Sequence, residues 1–254
     1  MKITCEARSD IGRKRKGNED ALFLNPDQRL YVVADGMGGH AAGEVASRVA
    51  VDAINEFVTL TGGNEEITWP FGLDDSISYE GNRLKTAIRH ANRRVLEATR
   101  ESAEYEGMAT TVAAVLVDGD TANIAHVGDS RIYLWSSGLI SQLTSDHSWV
   151  NEQIQSGVIS VEQARNHPLR NVVTRALGGR SDLLVDIQSR RMDHGDVLLL
   201  CSDGLTTMIG DEEIARILVE AGGDVARAAT ALVQEANDRG GEDNITVVLL
   251  KFEE

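Results

Sequence analysis

The spacing of apolar positions changes several times along the chain, and each change predicts an element. Residues 2–8 alternate as a first strand, and 21–24 and 30–34 flank the turn Asn25-Pro26-Asp27-Gln28 as a hairpin. Ala46, Val49, Ala50, Ala53, Ile54 and Phe57 then recur at helical spacing, which predicts a helix over 41–60. A second amphipathic helix is expected over 82–104, with Leu84, Ala87, Ile88, Ala91 and Val95 facing inward. From Ala109 the period becomes that of strands. Runs at 110–117, 121–127, 131–135 and 139–143, parted by short Gly, Asp and Ser turns, read as one antiparallel meander. Strands at 183–190 and 196–201, helices at 211–221 and 224–238, and a last strand at 245–252 complete the pattern. The runs 110–117 and 196–201 are almost continuously apolar, as strands covered on both faces are.

Two stretches interrupt this order. Residues 61–81 carry Gly62-Gly63, Pro70, five acidic residues and the exposed-looking Trp69 and Phe71, and read as an insertion suited to docking a partner or simply tolerated as a surface loop. Residues 146–170 hold two short helical pieces split at Gly157, with a capping box at Ser160-Val161-Glu162-Gln163. They read as a flap beside whatever site the strand ends build.

With 254 residues and 42% apolar content, the chain fits one large domain or two small ones with a core that needs no disulfide staples, and since no Pro-, Gly- or Ser-rich linker divides it, one domain over 1–254 is expected. Cys5 and Cys201 lie in apolar runs without metal-ligand spacing, so reduced, buried thiols are expected. No run is long enough to span a bilayer, and a soluble, cytoplasmic protein, expected to be a monomer, follows as the reading. A formal charge of −15 repels nucleic acid and anionic membrane, and the single dense basic run, Arg13-Lys14-Arg15-Lys16, is a poor nucleic-acid footprint.

An excess of carboxylates suggests that some are gathered around a cation. Asp35 ends the apolar run 30–34 and is followed by Gly36, Gly38 and Gly39. Its carboxylate and the Gly36 carbonyl suit Mg²⁺ or Mn²⁺, although Asp-Gly is also an ordinary turn dipeptide. Four other carboxylates share its setting at a strand end beside Gly, Ser or Asn: Asp20, Asp129, Asp203 and Asp243. Brought together they would repel one another unless cations compensated. Two divalent ions can activate a shared water and clamp an in-line displacement at phosphorus. Arg15, five residues before Asp20, has the fork geometry for two phosphate oxygens, while its spacing fits a surface arginine equally well.

Taken together, Gly12-Arg13-Lys14-Arg15-Lys16-Gly17-Asn18-Glu19-Asp20, Ala34-Asp35-Gly36-Met37-Gly38-Gly39-His40, Met108-Ala109-Thr110-Thr111, His126-Val127-Gly128-Asp129-Ser130-Arg131, Leu143-Thr144-Ser145-Asp146-His147-Ser148, Arg175-Ala176-Leu177-Gly178, Cys201-Ser202-Asp203-Gly204-Leu205 and Asp243-Asn244-Ile245-Thr246 resemble a family. It is that of the metal-dependent Ser/Thr protein phosphatases of type 2C, the PPM family, in its bacterial form. The pieces stand in the family's order and cover nearly the whole chain.

The resemblance implies an α+β fold, a four-layer α-β-β-α sandwich of two antiparallel sheets flanked by helical hairpins. It also implies hydrolysis of phosphoserine and phosphothreonine by direct attack of a metal-activated water. Asp35 would bridge two Mn²⁺ or Mg²⁺ ions with the Gly36 carbonyl on one. Asp203 and Asp243 would serve the other, Asp20 with Glu19 would hold metal-bound water, and Asp129 would help bind a third ion. Arg15 would bind the phosphate. Phosphorylated Ser/Thr proteins, substrates of a cognate Ser/Thr kinase, are the partners implied.

The family often places His directly after Asp-Gly, where this chain has Met37. His40 has a pKa suited to protonating the leaving oxygen, and a bystander role for it stays open. His126 and His147 are expected to be buried structural imidazoles. The rival readings are another two-metal hydrolase of phosphodiesters and a non-catalytic phosphoprotein-binding module.

Overall fold

The computed structural model describes residues 1–39, 42–62 and 71–254. Its elements run β1 (Lys2–Asp10), β2 (Asp20–Asn25), β3 (Leu30–Met37), α1 (Ala42–Thr61), α2 (Tyr79–Glu101), a 3₁₀ turn (Ala103–Tyr105), β4 (Ala109–Thr110), β5 (Val112–Asp118), β6 (Thr121–Val127), β7 (Arg131–Ser136) and β8 (Leu139–Gln142). They continue α3 (Trp149–Gln155), α4 (Val161–Arg165), β9 (Asp186–Arg191), β10 (Val197–Cys201), α5 (Asp203–Thr206), α6 (Asp211–Ala221), α7 (Val225–Asp238) and β11 (Ile245–Glu253). Every strand pairing is antiparallel. One sheet is ordered β1-β11-β10-β7-β8 and the other β2-β3-β5-β6-β9, with β4 on β3.

Alternation along the strands builds three apolar layers. Val33, Val115, Ile124, Leu198, Leu200, Val248, Leu250 and Phe252 meet between the sheets. The opposite faces are covered as well. Val32, Leu116 and Val127 lie under α1 and α2, whose alanines at 46, 50, 53, 87 and 91 allow close packing. Leu199, Val247 and Leu249 lie under α6 and α7. This is the four-layer α-β-β-α arrangement, and it explains why β5 and β10 are buried on both faces.

The expected meander is divided. β5 and β6 belong to one sheet and β7 and β8 to the other, so the chain steps between layers at residues 128–130. Gly128 makes the step possible: its φ is +105°, and a Cβ there would meet the Thr111 Cβ at 2.6 Å. A hairpin and a sheet-to-sheet step leave the same alternation in the flanking strands, so periodicity could not separate them. The second helix also starts earlier than its pattern, at Tyr79, because Ser78 accepts the Gly81 N–H at 2.9 Å. The first helix runs to Thr61, so both ends of the stretch 61–81 are helical. Trp69 and Pro70 lie outside the described residues, whereas Phe71 is partly buried.

Between β8 and β9, Ser148 caps α3 and the capping box at α4 is formed in both directions, Ser160 N–H to Gln163 Oε1 at 2.8 Å and Gln163 N–H to Ser160 Oγ at 3.2 Å. At α7, Asp224 accepts the N–H groups of Ala226 and Arg227, each at 3.0 Å. Asp224→Ala is expected to lower stability by about 1 kcal/mol and the thermal midpoint by about 2–4 °C, with activity unchanged. An unaltered midpoint would show that this cap contributes nothing. Both cysteines are free thiols.

Candidate metal centre

One end of the sandwich gathers the carboxylates. Asp20 opens β2 and Asp35 lies opposite it in β3, as register partners. Across the gap, Asp203 follows β10 and Asp243 precedes β11, while Asp129 sits in the step from β6 to β7. Glycines permit the close approach of these strand ends. A Cβ on Gly204 would meet the Asn244 carbonyl oxygen at 2.0 Å, and one on Gly36 would meet that of Gly43 at the same distance.

Hydrogen bonds fix the backbone that carries each acid. The Asp35 carbonyl accepts from the Thr111 N–H and the Thr110 hydroxyl, each at 2.9 Å. Thr111 Oγ1 in turn accepts from the Asp35 N–H at 3.1 Å and lies 2.6 Å from Ser130 Oγ, joining Asp35 to the loop of Asp129. Ser202 donates to Asp20 Oδ2 at 2.7 Å and accepts from the Thr246 N–H at 3.0 Å, so one hydroxyl ties the two sheets together beside the acids. Asn244 accepts the Glu19 N–H at 2.8 Å and donates to the carbonyls of Ile11 and Gly17, holding the basic loop against the site. From that loop Arg15 reaches Asp243 Oδ2 at 2.6 Å and stands 3.9 Å from Glu19 Oε2. Thr110, Thr111, Ser130, Ser202, Asn244 and Thr246 all stand in the family-like pieces of the sequence, but spacing alone gives them no supporting role.

The electrostatics record the crowding. Burial, and then Asp20, Asp203, Asp129 and Asp243, push Asp35 well above the carboxylate range. Burial raises Asp20 to about 7 against hydrogen bonds from Thr246 and Ser202, with Asp203 and Asp243 adding to the rise. Asp129 is also raised to about 7, by burial and then by Asp203 and Asp146. Asp203 is raised by burial and Asp243, and Glu19 by burial. Glu19 Oε1 and Asp20 Oδ1 are buried without a hydrogen-bond partner among the described residues. Unpartnered carboxylate oxygens in an acidic pocket are the donor set that a hard divalent cation takes. The residues therefore fit the metal the sequence suggested.

Asp146, also near this site, is committed elsewhere: Arg131 grips it with Nε to Oδ1 at 2.9 Å and Nη2 to Oδ2 at 2.7 Å. His40 lies outside the described residues. A separate cluster, His126, His147 and Asp186, brings ligand-type atoms within 4.8 Å of one another. Its hydrogen bonds oppose metal binding. The Gly128 N–H donates to His147 Nδ1 at 3.0 Å, so the proton stays on Nε2, which faces Asp186 at 3.2 Å. His126 Nε2 donates to the Ser145 carbonyl at 2.9 Å, and the two rings stack with centroids 4.5 Å apart. Burial and the neighbouring His126 push His147 down to about 4. Both imidazoles are neutral and structural, and His147 steadies the glycine before Asp129.

Fold and pocket together present a cluster of buried carboxylates, with the donor chemistry that suits a divalent metal, at one end of a β sandwich. A family profile for protein phosphatase 2C matches residues 12–248. The chain belongs to that family. The serine/threonine phosphatase stp of Listeria monocytogenes is 40% identical over 97% of this chain and 95% of its own length. The crystal structure of the Mycobacterium tuberculosis serine/threonine phosphatase PstP superposes with a TM-score of 0.88 at 35% identity, covering 100% of both chains. A catalytic-domain structure of a PstP in complex with two manganese ions gives a TM-score of 0.84 at 33% identity over 99% of each chain.

Proposed function

We propose that the chain is a metal-dependent protein serine/threonine phosphatase. The observation that carries this reading is the convergence of Asp20, Asp35, Asp129, Asp203 and Asp243, from both sheets, beside Arg15. Asp35 and the Gly36 carbonyl, with Asp203 and Asp243, would hold two Mn²⁺ or Mg²⁺ ions, Asp20 and Glu19 would hold the surrounding water, and Asp129 would serve a third ion. Metals bound there lower the pKa of a water and neutralise charge on a phosphoryl group.

The chain's own residues do the rest. Arg15, exposed by 46% at its side chain, swings from Asp243 to take two phosphate oxygens, and Asp243 and Glu19 keep it poised until then. The Ser202 hydroxyl holds Asp20 so that its other oxygen, Oδ1, faces the site as an acceptor. A proton must reach the leaving Ser or Thr oxygen, and His40 is the candidate donor. The partners are phosphorylated Ser/Thr proteins, substrates of a cognate kinase, residues 1–254 act as one catalytic domain in a cytoplasmic monomer, and the segment 146–170 serves as a flap beside its site. No helix among the described residues is long and apolar enough to cross a membrane.

Hydrolysis of a phosphothreonine peptide is expected to stop with a chelator and return with Mn²⁺, and Arg15→Ala should lower kcat/KM on the order of ten- to a hundredfold. Faster turnover of a phosphodiester than of the phosphopeptide, or metal binding without turnover of either, would overturn the reading.

A further inference from the structure

A second concave region begins where β3 ends. Met37 and Ala109, paired across β3 and β4, stand at one end of a cleft of about 770 Å³ that runs along α2 to the loop 179–184. Its charge opposes that of the molecule. The chain has 25 basic and 40 acidic residues, yet the described lining of the cleft contains Arg89, Arg93, Arg175 and Arg180 against Asp182 alone.

Arg175 is engaged by Asp186 Oδ1 at 2.6 Å. The other three form no ion pair among the described residues. Arg89 and Arg93, one turn apart on α2, lie over the ring of Phe71, their guanidinium carbons 5.8 and 5.1 Å from its centroid. An aromatic face steadies a guanidinium without neutralising it, so the N–H donors stay free for an incoming carboxylate. Leu96 and Leu183 supply an apolar floor, which keeps the cleft from being a mere rim of charges.

We propose that this cleft binds an acidic segment of the phosphoprotein substrate, a few residues to one side of the phosphorylated Ser or Thr. The inference rests on the phosphatase reading above and adds a substrate class to it. Charge complementarity selects the occupant: on a molecule of net charge −15 a polyanionic partner is drawn only to places where cations gather, and besides the basic loop 13–16 this cleft is such a place. Position selects its distance. Met37 is two residues beyond Asp35, and an extended peptide advances about 3.3 Å per residue, so a chain with its phosphate at the acidic pocket enters the cleft within a few positions.

The test compares phosphothreonine peptides with Glu triplets placed at either flank, a neutral peptide and p-nitrophenyl phosphate, all with Mn²⁺. One acidic flank should lower KM against the neutral peptide, and Arg89→Glu/Arg93→Glu should raise that KM about tenfold while leaving kcat and p-nitrophenyl phosphate turnover within about twofold. Arg89→Gln/Arg93→Gln should move it the same way by less, and added salt should shrink the advantage in the parent.

Identical KM ratios in parent and variants, or an equal loss on every substrate, would overturn the proposal. A fluorescent Glu-rich peptide without phosphate, titrated by anisotropy, reads the cleft independently of turnover. If the parent hydrolyses nothing, the phosphatase reading fails, yet weaker peptide binding by the variants still supports an acid-binding cleft and unchanged binding rejects it. Competition by an oligonucleotide of equal charge as strong as by the peptide would also reject it.

Discussion

Asp35→Asn is expected to lower phosphopeptide turnover on the order of a thousandfold or more while leaving the metal-free fold intact. The two halves of this outcome have one cause. Burial, and then the four other carboxylates around it, already favour the neutral form of Asp35. Asparagine is close to the protonated acid in size and hydrogen bonding, and the backbone contacts from Thr110 and Thr111 do not involve the side chain. The metal-free variant should therefore melt at or above the parent's midpoint at neutral pH, since one source of repulsion is gone. What it loses is the response to Mn²⁺: the midpoint rise that the ion gives the parent should vanish. Near-parental turnover, or a variant that is unfolded without metal, would contradict the role given to Asp35.

The second large effect is the pH dependence of that response. Asp20 and Asp129 titrate near 7 in the folded, metal-free protein and near 4 when unfolded, so their folded pKa values are raised. Their contribution to stability is complete below about pH 4 and is lost as pH rises through 7. Metal-free protein should thus lose a few kcal/mol from this source across that window, roughly 5–10 °C in midpoint.

His147 acts in the opposite sense: its pKa is depressed to about 4, so its contribution is present above about 6.5 and is lost as pH falls. The two slopes overlap in a single melting curve. The difference between Mn²⁺-loaded and chelated samples removes the histidine part. That difference should grow from pH 5.5 to 8, because at the lower pH the ion must displace protons from the acids. Parallel curves would show that these carboxylates do not hold the ion.

Much of this was legible in the sequence because local signals agreed with the tertiary outcome. Helix α6 falls where its pattern placed it, with Gly210 before it and the left-handed Gly222 after it. The capping box at Ser160 formed as read. The acids could be picked out because each ends a strand beside a turn residue. The division of the strands between sheets could not be seen, since Gly128-Asp129-Ser130 looks like any hairpin turn until Thr111 is packed against it. Nor could the anchoring of the loop that carries Arg15 by Asn244, which donates to Ile11 and Gly17 more than 220 positions away, or the meeting of Phe71 with Arg89 and Arg93, because sequence spacing carries no information on such distant contacts.

The allocation of acids between layers has a further consequence. Asp20 and Asp35 travel with one sheet and Asp203 and Asp243 with the other, so any sliding of the layers by even an ångström would pull the proposed ligand set apart. Changes to the outward faces of α1, α6 and α7, and of α2 away from Arg89 and Arg93, should be borne freely. Repacking the shared interior around Leu198, Val248 and Phe252 should detune the catalyst long before it unfolds the protein.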